Sequence, residues 1–326
     1  ILMEFFMPLQ RRAFLVSAAA LAFSAPLPVR AQDVPAVVAT TGMIADAARA
    51  IGGDAIDLRA LMGPGIDPHS YRQTRTDIVA LSRADLVLWN GLYLEAQMEE
   101  FLLRLGAQKP VVAVGDAVPD DALLRHAEYA GRADPHIWMV PALWQHAVTA
   151  TRDALIALQP DRETAFRDRT EGYLAELDAL QTYAEDTLAK VPEPARVLVT
   201  AHDAFGYFGA AYDMEVLGLQ GISTESEAGL NRIRDLVDTL VDRKIGAVFV
   251  ETSVSDRNMR ALIEGAAARG HKVEIGGELF SDAMGEPGTY EGTYPGMIDH
   301  NVTTIARALG GTPPDRGMMG KLAAGI

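Results

Sequence analysis

The sequence predicts an α/β protein of two lobes with parallel sheets, joined by one long bridging helix. Three observations predict it. Short β-branched runs alternate with helical patterns in both halves of the chain, as in βαβ units. A central segment without proline keeps a helical period for about eight turns. Finally, 326 residues that are 49% hydrophobic are enough for one large core or two medium ones.

In chain order, the first lobe is assigned to residues 32–158. Its strands are read at Val37–Thr41, Ile56–Leu61, Asp85–Trp89 and Val111–Val114, with Ala/Leu/Glu-rich helices between them. The bridge is placed within 159–192. From Asp161 to Lys190 there is no Pro and a single Gly172, and Phe166, Tyr173, Leu174, Leu177, Leu180, Ala184 and Leu188 recur at helical spacing. A flexible linker would be richer in Gly, Ser and Pro. The second lobe takes 193–326, with strands at Arg196–Thr200, Met214–Leu219, Ala247–Glu251 and His271–Ile275.

Residues 1–31 read as a cleaved signal peptide: Arg11 and Arg12, an apolar run from Ala13 to Ala25, then Val29-Arg30-Ala31 with small residues at the cleavage positions. The Arg11-Arg12-Ala13-Phe14-Leu15 stretch resembles a twin-arginine signal, although paired basic residues also open ordinary secretory signals. The apolar run is short and is followed by Pro26 and Pro28, against a membrane-spanning helix. The expected location is a periplasm. With no Cys at all, a lipid-modified N-terminus, disulfides and thiolate metal sites are not expected. The formal net charge of -15 repels nucleic acid and favours cations as ligands.

The chemistry concentrates in histidines. Two of the seven occur in near-identical settings, Asp67-Pro68-His69-Ser70-Tyr71 and Asp134-Pro135-His136-Ile137-Trp138. Proline restrains the residue before it, so each His takes a defined place in its loop. In the second lobe, His202 emerges at the carboxyl end of a strand, where open α/β sheets bind ligands, and Asp282 follows another strand. Together they offer three imidazoles and one carboxylate, two ligands from each lobe, a set that suits a borderline-soft divalent ion in an inter-lobe cleft.

On these motifs the chain resembles the metal-specific solute-binding proteins of ABC importers, the zinc/manganese periplasmic group whose lobes are joined by one rigid helix. The resemblance rests on the Asp-Pro-His pair, the segment His202-Asp203-Ala204-Phe205-Gly206-Tyr207-Phe208, the segment Leu279-Phe280-Ser281-Asp282-Ala283-Met284-Gly285, and a stretch without ligands, Gly218-Leu219-Gln220-Gly221-Ile222-Ser223-Thr224-Glu225. It implies a monomeric receptor, with no enzyme activity and no organic cofactor, that captures Zn2+ or Mn2+ on His69, His136, His202 and Asp282. The partners implied are an ABC permease, its ATPase subunit and a metallochaperone. In related proteins the third ligand is His or Glu, with Glu associated with manganese, so His202 favours zinc. A rigid bridge implies small lobe motion, with rearrangement in the Asp282 loop more than at the hinge.

Plainer readings stand beside each residue. His69 and His136 also fit loop histidines bonded to nearby backbone, His202 a buried strand-end residue, and Asp282 an N-cap for a helix starting at Ala283. Asp67 and Asp134 either accept a ring proton from the neighbouring His or only shape the turn. Tyr71, Trp138 and Phe205 are expected to form a dry shell around the ligands. His126, His146, His271 and His300 read as surface or core residues, with His126 also placed to assist capture, and Glu225 and Glu227 as a solvated loop. The functional alternatives are a secreted zinc hydrolase, against which the absence of a His-Glu-x-x-His motif counts, and a same-fold receptor for a siderophore or corrinoid.

Overall fold

The computed structural model describes Ile1, residues 34–126, Tyr129 and residues 131–323; the predicted leader, apart from Ile1, lies outside the described residues. From Val34 onward the chain packs as one compact unit. In the first lobe, β1 (Ala36–Ala39), β2 (Asp57–Ala60), β3 (Leu86–Trp89) and β4 (Val111–Ala113) form a parallel sheet in the order β2-β1-β3-β4. Helices α1 (Gly42–Gly52), α2 (Arg75–Arg83), α3 (Glu99–Gly106) and α4 (Pro141–Leu158) alternate with them or follow them. The strands β1 and β3 are near-continuous apolar runs because helices cover both faces of the sheet.

The second lobe holds two parallel pairs, β5 (Val197–Thr200) with β6 (Glu215–Gly218) and β7 (Ala247–Glu251) with β8 (Glu274–Leu279). Its helices are α6 (Gly206–Tyr212), α7 (Leu230–Asp242), α8 (Arg257–Ala268) and α9 (Tyr294–Ala308). Most strand limits lie within two residues of those read from the sequence, and β8 is the exception. It begins at Glu274 rather than His271, because the chain leaving α8 turns through Gly270 (φ 79°) and the His271 amide bonds back to Ala266. It then continues through Gly276 and Gly277, residues that weaken a strand pattern in sequence, past an irregularity between Val248 and Phe249 of its partner. The strand therefore ends only three residues before Asp282.

The bridging segment is α5, Glu163–Leu188. Its 26 residues span about 39 Å. One stripe, Phe166, Thr170, Tyr173, Leu177, Leu180, Ala184 and Leu188, is buried against α1 and α4 on one side and α6 and α9 on the other. Gly172 sits on the solvated face, where its helix penalty of about 1 kcal/mol is tolerated. The largest core is shared by the lobes: Ile44, Ile51 and Trp144 from the first and Phe208, Tyr294 and Ile305 from the second meet on α5. Smaller cores around Val87 and Leu102, and around Val199 and Val248, belong to one lobe each. Asp46 on α1 adds a polar tie, accepting from the Tyr173 hydroxyl on α5 and from the Tyr294 amide at the start of α9, each at 3.1 Å. Among the described residues no helix is long and apolar enough to cross a membrane.

Leu177 is fully buried in this shared core. Leu177→Ala is expected to lower stability by about 2–5 kcal/mol, the range for a large core truncation. Calorimetry should still show a single unfolding transition, because both lobes lose packing together; two separated transitions would contradict a shared core.

Candidate metal centre

Each candidate ligand is delivered by a carboxyl-terminal end of the sheets. His69 lies in the loop between β2 and α2, and His136 in the long connection between β4 and α4. His202 stands two residues past β5, and Asp282 three residues past β8. All four are buried: the imidazoles are 0% exposed and Asp282 is 2% exposed. Their donor atoms lie within 4.8 Å of one another. His69 Nε2 is 3.2 Å from His136 Nε2, and the Asp282 oxygens are 3.2 Å from His202 Nε2, 3.5 Å from His136 Nε2 and 3.8 Å from His69 Nε2. A tetrahedral ion with bonds of about 2.0–2.1 Å needs edges of about 3.3–3.4 Å, close to three of the four separations just given, within a cluster no more than 4.8 Å across.

The carboxylate is the costly element of the cluster. Neither oxygen of Asp282 has a hydrogen-bond partner among the described residues. Burial alone raises its pKa, but the charge of His202, followed by those of His136 and His69, outweighs burial and holds the carboxyl well below its usual range. His202 is the counterpart. Burial pushes its ring down, and the charges of Glu251 and Asp282 outweigh that and hold it well above its ordinary value. His69, in contrast, is pushed down by burial to about 3, against the smaller opposing pull of Asp282. The metal-free cluster is therefore a buried pair, His202 protonated and Asp282 ionised, with His69 neutral.

Outer contacts orient two of the three rings. His136 Nδ1–H donates to Asp134 Oδ1 at 2.7 Å, and the same oxygen accepts from the His136 amide at 2.9 Å. Gly206 lets this carboxylate approach, since a side-chain carbon there would stand 2.9 Å from Asp134 Oδ2. His202 Nδ1–H donates to Glu251 Oε2 at 2.5 Å, and the His202 amide donates to Glu251 Oε1 at 2.9 Å. Such pairs set the tautomer, turn the ring's Nε2 lone pair toward the ion and make it a better donor. His69 has only its amide held, by Asp67 Oδ1 at 2.9 Å; its Nδ1 has no partner among the described residues. The two Asp-Pro-His copies thus differ: Asp134 serves both ring and turn, and Asp67 shapes the turn alone.

The sequence named all four converging residues. Asp282 does not cap a helix at Ala283, because the next helix is α9, starting at Tyr294. Trp138 stacks edge-on against His136 with ring centroids 5.2 Å apart, and Phe205 is buried nearby. Tyr71 is not in that shell: its hydroxyl donates to Asp77 on α2, which is already fixed by a capping box with Thr74. His271 and His300 bond to backbone carbonyls of Ile245 and Glu278, as structural residues do. His126 lies 3.9 Å from Asp134 and outside the cluster. Glu225 and Glu227 are held, by Gln97 and Asn258 respectively.

Two residues, Glu251 and Glu95, and one tie made by Trp138 were missed. Glu251 ends an apolar strand, and a lone Glu at the ligand-facing end of β7 was the available signal. Glu95 is fully buried, with burial pushing its pKa up to about 7. It accepts from Thr40 Oγ1 and from the amides of Asn90 and Gly91, and Asn90 in turn donates to the Pro135 carbonyl beside His136. Finally, Trp138 Nε1 donates to the Ser281 carbonyl at 2.8 Å, tying the His136 segment to the Asp282 loop across the lobes. That partner is 143 residues away, beyond local pattern reading.

In Glu251→Gln the His202 ring should titrate at lower pH than in the parent, because the charge that raises it is gone. Ring-carbon NMR shifts followed across pH measure this, and an unchanged titration would leave Asp282 alone in control of the proton.

Comparisons with known proteins show the family. The family model described as "ZnuA: Zinc-uptake complex component A periplasmic" matches residues 37–308. The chain is 47% identical over 274 residues to the manganese-binding lipoprotein MntA of Bacillus subtilis, covering 84% of this chain and 89% of that protein. It is 46% identical over 281 residues to the zinc-binding protein TroA of Treponema pallidum, covering 86% and 90%. The solved structure of the periplasmic zinc-binding protein TroA superposes with a TM-score of 0.83 over 84% of this chain and 99% of that one. The lipoprotein name of the first relative conflicts with the expectation of an untethered protein, although the 326 residues contain no Cys. The chain belongs to the ZnuA family, the metal-binding solute-binding proteins of ABC importers.

Proposed function

We propose that this protein captures a divalent transition metal, zinc in preference to manganese, on His69, His136, His202 and Asp282 and hands it to the permease and ATPase of an ABC importer. The observation that carries the proposal is the convergence of four buried donors within 4.8 Å of one another. Three imidazoles with one carboxylate suit zinc, whereas manganese prefers harder oxygen donors. Both Asp282 oxygens face the cluster, one toward His136 and the other toward His69 and His202. A bidentate carboxylate would add a fifth donor, and this supports manganese as a second cargo.

The same geometry supports capture without turnover. A catalytic zinc keeps a position open for water, while here four buried protein donors would surround an ion. A siderophore or corrinoid does not fit among rings whose nitrogens lie within 4.8 Å. Our reading places the protein outside the cytoplasmic membrane as a monomer, loaded by free metal or by a metallochaperone.

Replacement of a ligand tests the site. Asp282→Ala and His202→Ala should each lose stoichiometric zinc binding in competition with a chromophoric chelator. The expected weakening exceeds the about 10–100-fold typical for removal of an outer-shell partner. Parent-like binding in both variants would defeat the assignment.

A second outcome concerns protons. The raised pKa of His202 means that its proton stabilises the metal-free fold fully below the unfolded value of about 6.5, and that this contribution is lost as pH rises through the raised folded value. Asp282 behaves oppositely, contributing until pH falls through its depressed value. At neutral pH a bound metal must displace the His202 proton, while His69 has none to give up. Titration calorimetry in buffers of different ionisation enthalpy should show about one proton released per metal, with affinity rising with pH. Heats that do not depend on the buffer would rule this out.

A further inference from the structure

The stretch Gly218–Glu225 carries no ligand, yet it crosses the cleft. It leaves β6 and runs irregularly to α7, held on its own lobe where Gln220 Nε2 donates to the Ser226 carbonyl and Arg232 to the Gly218 carbonyl. Two adjacent residues then reach the first lobe. Thr224 Oγ1–H donates to Asp67 Oδ2 at 2.6 Å, and Glu225 accepts from Gln97 Nε2. Asp67 is the residue that builds the His69 turn: Oδ1 accepts the His69 amide at 2.9 Å and Oδ2 also accepts the Ser70 hydroxyl at 2.8 Å. The opposing lobe thus grips the turn that presents one metal ligand.

That ligand is the least secured of the three imidazoles. His136 and His202 each give their Nδ1–H to a buried carboxylate, and the Asp282 loop is tied by Trp138 to Ser281 and by Ser253 to Ser281. Nδ1 of His69 has no partner among the described residues, so the ring's orientation depends on its backbone turn and on packing. With His136 Nδ1–H committed to Asp134, His136 Nε2 is an acceptor, and the 3.2 Å contact is a hydrogen bond only when His69 carries its proton on Nε2. Binding an ion through Nε2 moves that proton to Nδ1, where no described residue accepts it. Motion of the Asp282 loop, expected from the sequence, is opposed by the tie from Trp138, whereas His69 depends on a contact at the cleft rim.

We infer that Thr224 and Asp67 are positioning residues that gate the metal: the Gly218–Glu225 strap, closing through Thr224 on Asp67, holds His69 against the ion, and its opening frees His69 as the first ligand to leave. The inference rests on the proposed capture of a divalent metal by the four-residue site. It assigns to one side-chain hydrogen bond the control of release, and leaves the equilibrium donor set unchanged.

The test is zinc release from the full mature chain, timed by stopped flow into excess chromophoric chelator, for the parent, Thr224→Val and Thr224→Ser. Valine keeps the shape and removes the donor; serine keeps the donor. Thr224→Val should release zinc about tenfold faster, the scale of one lost hydrogen bond to a carboxylate, and Thr224→Ser should restore the parent rate to within about threefold. The Co2+ form of each variant should keep the parent's ligand-field spectrum, showing the same donors in place at saturation. Release from Thr224→Val accelerated less than about threefold, or accelerated equally in Thr224→Ser, would overturn the gate. If the parent itself fails to bind zinc stoichiometrically, it is the capture reading that fails; if the parent binds and the valine variant releases at the parent rate, only the gate fails.

Discussion

A buried carboxylate with only histidine rings beside it is the constraint around which this protein is arranged. Asp282 places two oxygens in the cleft, the nearest ring atom being His202 Nε2 at 3.2 Å, and isolating such a charge from water is among the most expensive acts a fold can perform. In the metal-free state the debt is met by one protonated imidazole, His202, itself backed by Glu251. A divalent cation held there, as proposed, would answer the same charge and would satisfy the remaining Nε2 atoms as well. The site's appetite for metal is thus built into the unfavourable part of its own structure.

Holding such a cluster together requires walls that do not drift apart, and the shared core supplies them. The long helix α5 packs on α1 and α4 of one lobe and on α6 and α9 of the other, so the apolar surface that stabilises each lobe also sets their relation. Asp46, the Tyr173 hydroxyl and the Tyr294 amide repeat that connection in polar form. The stacked pair Trp144 and Tyr294, whose hydroxyl reaches the Trp138 carbonyl, extends it toward the ligands. Freedom is left at the rim, where irregular chain rather than packed helix joins the lobes.

Much of this was legible in order of locality. The 3.6-residue stripe of α5 and the β-branched runs are periodic signals, and both survived into the structure within a residue or two at most limits. The strand β8 was misplaced because Gly276 and Gly277 erase the pattern that β-branched residues write elsewhere. His69 and His136 announced themselves through a repeated Asp-Pro-His, whose backbone restraint is local. Glu251, by contrast, offers only its place at the end of an apolar strand; its partner is 49 residues away, and only the adjacency of β5 and β7 brings them together.

The sequence by itself determined the fold class, the long bridge and the acidic thiol-free character, because each follows from residue chemistry or short-range period, and it proposed the four clustered donors, His69 and His136 from a repeated local motif and His202 and Asp282 chiefly from the family resemblance. Tertiary structure alone decided which rings are oriented and which is left free. Asp67 and Asp134 stand in the same motif, yet one shapes a turn and the other also holds a ring, since only the second lies where His136 Nδ1 can reach it. The same holds for the strap at Thr224 and the tie at Trp138, whose partners lie 157 and 143 residues away. Contacts at that separation are set by how the lobes pack on α5, and no spacing along the chain encodes them.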